Sequence, residues 1–314
     1  MIEKTFTKDI LLGLTANPKY LQSKYFYDTK GDLLFQKIMQ AEEYYLTDAD
    51  MEIFKEQSEL ISDVLSEESD YFDVVELGAG DATKSTHLLK ALVKAKKDFT
   101  YYPIDISENI IEQLKIGIPK RVPSVTVIGL AGEYLPTLEE INQMTRKKKV
   151  VLFLGSSIGN FESTNASSFL KALYKHLNKG DKLLIGFDLK KNPHQILAAY
   201  NDKEGITRDF NLNLLQRIND TAKGNFNLNL FDHYPTYDPL TGTCKSYLIS
   251  KEQQQVSIDG QQINFDKNEP VYVEMSQKYS ENDIEILAKE AGFVKEHLFY
   301  DSNKWYCNAL WKKV

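Results

Sequence analysis

A chain of 314 residues, 42% hydrophobic and 26% charged, has an ordinary globular profile and can build one large domain or two modest ones. A formal net charge of −7 argues against a nucleic-acid backbone as the main partner. Two cysteines, Cys244 and Cys307, cannot make a disulfide framework and lack metal-ligand spacing, so they read as buried or incidental thiols. The five histidines (His87, His176, His194, His233, His297) form neither HExxH nor HxH, which leaves a metal site without support.

The opening stretch MIEKTFTKDILLGL has charges inside its apolar run and no small-residue cleavage box. No segment approaches the ~18 uninterrupted apolar residues of a membrane span, so a cytoplasmic protein is expected. Residues 1–60 read as helices with loops: Asn17-Pro18 breaks the first, Gly31 opens a second through LLFQKIM, and Thr47-Asp48 caps a third. The character then changes. YFDVVELGAGDATKSTHLLKALVKA is an apolar strand, a glycine turn and an amphipathic helix, and TYYPIDIS is a second strand followed by the helix ENIIEQLKIGI. VTVIGLAGEYL, KVVLFLGSSIGNF and KLLIGFDLK supply three more strands, with the helix ASSFLKALYKHLNKG between the last two. Lysines 147–149 read as a solvated loop before VVLFL.

Strands alternating with helices at this spacing indicate α/β architecture, a doubly wound and mostly parallel sheet whose ligand lies outside the carboxyl ends of the strands. The alternation stops after Lys191. Two helices (HQILAAYND and RDFNLNLLQRINDTA) are followed by polar β-like stretches at CKSYLIS and QQVSIDGQQINF. VYVEMSQKY, the helix NDIEILAKEAGF and a last strand near KWYCNALWKK close the chain. We expect a nucleotide-type core at 61–192 plus 280–314, and a second α+β, substrate-binding domain at 1–60 plus 193–279.

In ELGAGDATKST, Gly78 and Gly80 permit a tight turn and close backbone approach to a ligand, with the N–H groups of a helix behind. GxGxxG fails, because Lys84 and Ser85 stand near the place of its third glycine, and GxxxxGK[ST] fails because no glycine precedes Lys84. Glu76, just before the turn, would repel a pyrophosphate but suits a ligand bearing an amine and a sulfonium, such as S-adenosylmethionine (SAM). Asp105 closes the second strand, where a carboxylate can accept both ribose hydroxyls; it could instead cap the next helix, in competition with Ser107. Glu133-Tyr134 could bracket an adenine or be an ordinary loop pair. Together these features favour SAM over a nicotinamide cofactor.

KYFYDTKGDLLFQKIMQAEEYYLT, ELGAGDATKS, YYPIDIS, GLAGEYL, LFLGSSIGNF, AAYNDKEGIT with FNLNLLQRIN, and EMSQKY resemble, in order, the histidine-specific N-methyltransferases of the ergothioneine pathway. The resemblance runs from about residue 8 to the C-terminus, and YFYD, EYYLT and GSSIGNF do not belong to methyltransferases generally. It implies a Rossmann-like SAM-dependent methyltransferase core and three successive methyl transfers to the α-amine of free histidine, giving the betaine hercynine. Carried over by motif, the cofactor residues are Gly78, Lys84, Asp105, Glu133 and Tyr134, with Glu133 standing where the family usually has aspartate. The substrate residues are Tyr44, Gly155, Asn160, Tyr200, Ser246, Glu274 and Ser276, with Asn160 and Tyr27 next to the amine as the catalytic pair. In the loosely matching segment CKSYLIS, Ser246 stands where family members carry a methionine lining the imidazole.

Without the resemblance these residues have plainer roles. Tyr44 with Tyr45 could be an aromatic core pair, Asn160 a cap before FEST, and Glu274 with Ser276 the solvated face of a strand. Their chemistry fits the transfer nonetheless. An amide such as Asn160 can accept from an amine and donate to a carboxylate, and Glu274 would favour a ring N–H over an apolar side chain. Three rivals follow: the same chemistry on another amino acid or small amine such as tryptophan, which Ser246 invites; a non-catalytic SAM-binding protein; and a macromolecular methyltransferase, which the acidic charge disfavours. A small-molecule substrate, no nucleic-acid or membrane partner, and a monomer are expected.

Overall fold

The structure, a computed structural model, describes residues 2–314. In chain order the elements are α1 (Ile2–Thr15), α2 (Thr29–Ile38), α3 (Leu46–Ser66), β1 (Phe72–Leu77), α4 (Thr83–Lys94), β2 (Thr100–Asp105) and α5 (Glu108–Arg121). Then come β3 (Thr126–Val127), β4 (Leu130–Ala131), α6 (Tyr134–Met144), β5 (Lys148–Phe153), α7 (Ser163–His176), β6 (Lys182–Asp188), α8 (Pro193–Ala199) and α9 (Ile206–Thr221). The last are β7 (Phe231–Asp238), β8 (Thr243–Ser250), β9 (Gln254–Ile258), β10 (Gln261–Phe265), β11 (Pro270–Gln277), α10 (Glu281–Ala291), β12 (Phe293–Tyr300) and β13 (Tyr306–Lys313). Among the described residues, no helix is long and apolar enough to cross a membrane.

The chain divides into two compact units, one of Met1–Tyr45 with Lys190–Gln277 and one of Leu46–Leu189 with Lys278–Val314. The second unit carries a sheet in the order β12-β13-β6-β5-β1-β2-β3, with β4 also on β2. The pairings β2–β3, β1–β2, β1–β5 and β5–β6 are parallel, and β13 closes antiparallel on β6. Every residue of β1 and β6 is buried, as expected of strands covered on both faces. Alternate side chains divide between the faces. Val75, Leu77, Val151 and Phe153 pack with α6, α7 and α10, whereas Val74, Leu152 and Leu184 pack with α3, α4 and α5. The fold is therefore the doubly wound α/β sheet that the periodicity indicates.

Four local expectations are corrected. Helix α3 begins at Leu46, so Thr47 and Asp48 lie inside it; Ile53, Phe54 and Ile61 are fully buried in the sheet's core cluster, so this helix goes with the second unit and not with residues 1–45. Gly31 does not open α2: Asp28 caps it, accepting from the Gly31 N–H at 2.7 Å. VTVIGLAGEYL is not one strand but two two-residue pieces, β3 and β4, each paired in parallel with β2. Lys149 lies in β5, not in a solvated loop, and is fully buried 3.5 Å from the carboxylate of Asp181. Strands β7 and β12 were not anticipated, since FDHYPTYD and FVKEHLFY carry too much charge and too weak an alternation to stand out.

The first unit holds a three-stranded antiparallel sheet, β11-β8-β7, and the hairpin β9-β10, which turns through Asp259 and Gly260, both at positive φ. Its core joins Phe6, Ile10 and Phe26 to Phe210, Leu214, Leu248 and Val271. Pro235 is tolerated in β7 because that strand is at an edge. Cys244 and Cys307 are both buried and form no disulfide, one lying in each unit.

Candidate active site

In the second unit, β1 has β2 on one side and β5 on the other, so the strand order reverses at β1 and a crevice opens beyond the carboxyl ends of β1 and β5. Gly78 follows β1 and Gly155 follows β5, each at φ +71°. A Cβ on Gly78 would lie 2.7 Å from the Tyr134 hydroxyl, whereas one on Gly80 (φ +51°) would meet nothing within 4 Å. The turn is thus bare where a ligand would approach. It is pinned from below: the Gly78 and Ala79 N–H groups donate to Ile104 O at 2.8 and 3.1 Å, and Gly80 N–H donates to Asp105 Oδ2 at 3.2 Å. Helix α4 starts from Ala82 in the left-handed region with no side-chain cap from that residue.

Ser107, not Asp105, caps α5, accepting from Ile110 N–H at 3.3 Å. Asp105 accepts the Ser107 N–H at 3.0 Å and the Gly80 N–H; a carboxylate offers about four lone-pair sites, so acceptor capacity remains for a diol. Glu133 is exposed at the start of α6 and makes no capping bond, and the Tyr134 ring lies 5.8 and 6.2 Å from the rings of Phe153 and Phe169. Lys84 donates to Asp50 at 2.6 Å, and its ammonium lies 3.3 Å from where a Gly155 Cβ would be. Asn160 is exposed at the end of a 3-10 turn, Ser157–Asn160; helix α7 has Glu162 at its cap position, so Asn160 does not serve as its cap.

Glu76 corrects an expectation. It is buried, accepts from the Tyr101 hydroxyl, and its carboxyl is pushed up to about 7 by burial, with the Tyr101 hydrogen bond acting the other way. It is not an open anion awaiting an amine.

In the first unit Tyr27, Tyr44 and Tyr200 join one aromatic network. Phe35 contacts Tyr27 (5.6 Å between ring centroids) and Tyr44 (6.5 Å), Tyr44 contacts Tyr200 (6.5 Å), and Phe210 lies 5.9 Å from Tyr27. Tyr27 is 44% exposed. The pair Tyr44-Tyr45 divides: Tyr45 is buried and accepts from Lys191 Nζ at 2.9 Å.

Glu274 and Ser276 are not on a solvated face. Glu274 is half-buried, and Ser276 and Ser246 are buried. A register shift in β11 between Tyr272 and Glu274 sets Glu274 opposite Ser246 and Ser276 opposite Cys244. Directly opposed residues share a sheet face, so the bulge re-aims this carboxylate beside two hydroxyls. On β7, His233 faces Leu248 and Pro235 faces Ser246, which adds His233 to the same side. His233 Nε2 is 2.9 Å from Tyr200 O. A carbonyl only accepts, so Nε2 carries the proton, and burial pushes the imidazole pKa down toward the neutral ring. His233 and Phe35 had no signal in the sequence, since a lone histidine and a helix-face phenylalanine match no motif. Gly155 and Asn160 belong to the second unit, whereas Tyr27, Tyr44, Tyr200, Ser246, Glu274 and Ser276 belong to the first.

The family model described as "Histidine-specific methyltransferase, SAM-dependent" matches residues 6–313. The chain is 30% identical over 296 residues to a histidine N-alpha-methyltransferase of Mycolicibacterium smegmatis, covering 94% of this chain and 90% of that one. It is 34% identical to Ergothioneine biosynthesis protein 1 of Neurospora crassa, covering 94% of this chain but 33% of that longer protein. An L-tryptophan methyltransferase of Psilocybe serbica is 27% identical over 324 residues, covering 95% of this chain and 90% of that one.

Proposed function

The chain belongs to the histidine-specific, SAM-dependent methyltransferases, and we propose that it methylates the α-amino nitrogen of free L-histidine, up to the trimethyl betaine. The observation that carries the substrate reading is the bulged register of β11, with Glu274 opposite Ser246 and Ser276 next on the same face. A half-buried carboxylate between hydroxyls suits a ring that offers an N–H, and an apolar side chain there would leave the charge unpaired.

When bound, SAM supplies an electrophilic methyl group on a sulfonium. The residues at the switch point fit such a group: bare backbone at Gly78 and Gly80, an ammonium at Lys84 for its carboxylate, and free acceptor capacity on Asp105 for its ribose. Glu133 and Tyr134 flank the adenine in this reading. The nucleophile is a neutral amine. Amino-acid α-amines titrate at about 8–9, a little above the ~8 of peptide termini, so modest perturbation suffices and no strong base is required. Asn160 accepts from the amine through its carbonyl and donates to the substrate carboxylate through its amide, while the Tyr200 hydroxyl donates to the same carboxylate. Gly155 counts among the substrate-binding residues of this reading. Tyr27, a partly exposed tyrosine, takes the released proton through water, and Tyr44 packs against the imidazole side. In this reading the enzyme acts in the cytoplasm as a monomer, without nucleic-acid or membrane partners.

The test is to supply the purified protein with SAM and the twenty amino acids and to follow product masses. Histidine gaining one, two and three methyl groups supports the proposal. Methylated tryptophan or another amino acid in its place overturns the histidine assignment, and cofactor binding with no product overturns the activity.

A further inference from the structure

Lys84 is the second residue of α4, in a first turn that holds no acidic residue. The aligned peptide dipoles make that end of a helix partially positive, so a cation there is disfavoured unless an anion answers it. The anion comes from another helix. Asp50 of α3, 1% exposed, accepts from Lys84 Nζ through Oδ2 at 2.6 Å. Its Oδ1 accepts from Nδ2 of Asn308, a fully buried residue of β13, at 2.9 Å. Both oxygens of this buried carboxylate are thus engaged by donors, one from each of two other elements. The Lys84 side chain is 27% exposed and ends 3.3 Å from the position a Gly155 Cβ would take. An ammonium has three donors, and Asp50 takes one of them.

We propose that Asp50, braced by Asn308, is a positioning residue for Lys84, aiming its remaining donors across Gly155 at the carboxylate of the cofactor's amino-acid arm. Three elements thereby converge on one ammonium: α3 supplies the counter-charge, β13 fixes that counter-charge, and the loop after β5 leaves the space. The proposal rests on the reading of Lys84 as a cofactor residue and adds what makes that lysine competent.

The test uses the full-length enzyme, titrated calorimetrically with S-adenosylhomocysteine, which bears the carboxylate, and with 5′-methylthioadenosine, which lacks the amino-acid arm. Asp50→Asn is expected to weaken the first ligand about tenfold and to leave the second within about twofold, since a charge-assisted contact is lost at one end only. Asn308→Ala is expected to show the same selectivity with a smaller loss, and it replaces Asp50→Asn should that variant not fold. Adding Asp50→Asn to Lys84→Met is expected to cost nothing more. Equal weakening of both ligands, or a full additional loss in the double variant, overturns the proposal by making Asp50 a support of the fold alone. Lys84→Met with unchanged S-adenosylhomocysteine binding refutes instead the cofactor role of Lys84, and the proposal falls with it.

Discussion

Glu76 couples the glycine turn to pH. Its carboxyl rises from an ordinary 4.5 to about 7 because it is buried, so the folded chain binds a proton that the unfolded chain releases. The sign follows. Stability from this group is fully present below about 4.5, declines as pH rises, and is lost above about 7, where the folded state must hold a buried anion. At 1.36 kcal/mol per unit, a rise of 7 − 4.5 = 2.5 is worth roughly 3 kcal/mol. Glu76→Gln keeps an acceptor for the Tyr101 hydroxyl and removes the titration. Urea unfolding followed by tryptophan fluorescence reports on the correct part of the chain, because Trp305 and Trp311 both lie in the unit that contains Glu76. Between pH 5 and pH 8 the wild type is expected to lose roughly 2–3 kcal/mol relative to Glu76→Gln. Parallel pH profiles for the two proteins would refute the reasoning.

Three further outcomes are expected. Gly78→Ala strains a left-handed turn and drives a methyl group against the Tyr134 hydroxyl, so cofactor affinity should fall at least about tenfold; Gly80→Ala, whose Cβ enters the open space left for the ligand, should weaken the cofactor as well while costing about 1 kcal/mol of stability, as calorimetry and urea melts will show. Glu274→Ala should raise the KM for histidine on the order of a hundredfold and change SAM affinity less than about twofold, as steady-state kinetics and cofactor titration will show; equal losses would refute the placement of Glu274 at the substrate. Ser280 and Asp283 form a reciprocal capping box on α10, so Ser280→Ala should lower unfolding free energy by about 1 kcal/mol with kcat unaltered.

Much of the second unit was legible in the sequence for a physical reason. A strand buried on both faces must be continuously apolar, and a turn that approaches a ligand must be bare; both requirements leave local marks, in FDVVEL and KLLIGFD and in Gly78 and Gly80. The motifs around Asp105 and Lys84 are likewise contiguous in the chain. The role of Glu76 was not legible, because its burial and its bond to Tyr101 come from a neighbouring strand, and exposure cannot be read from a residue's own type. Nor was the face shared by Glu274, Ser246 and His233, which depends on one register shift in β11 and on a strand, β7, whose mixed composition hid it. Asp50 and Asn308 lie 34 and 224 residues from Lys84 in the sequence, and only helix packing and strand pairing bring them to it. Composition, periodicity and local motifs therefore determined the class of fold, the cofactor turn and the family. The charge states and side-chain partners were decided by the tertiary structure, since desolvation and pairing are set by segments distant in the chain.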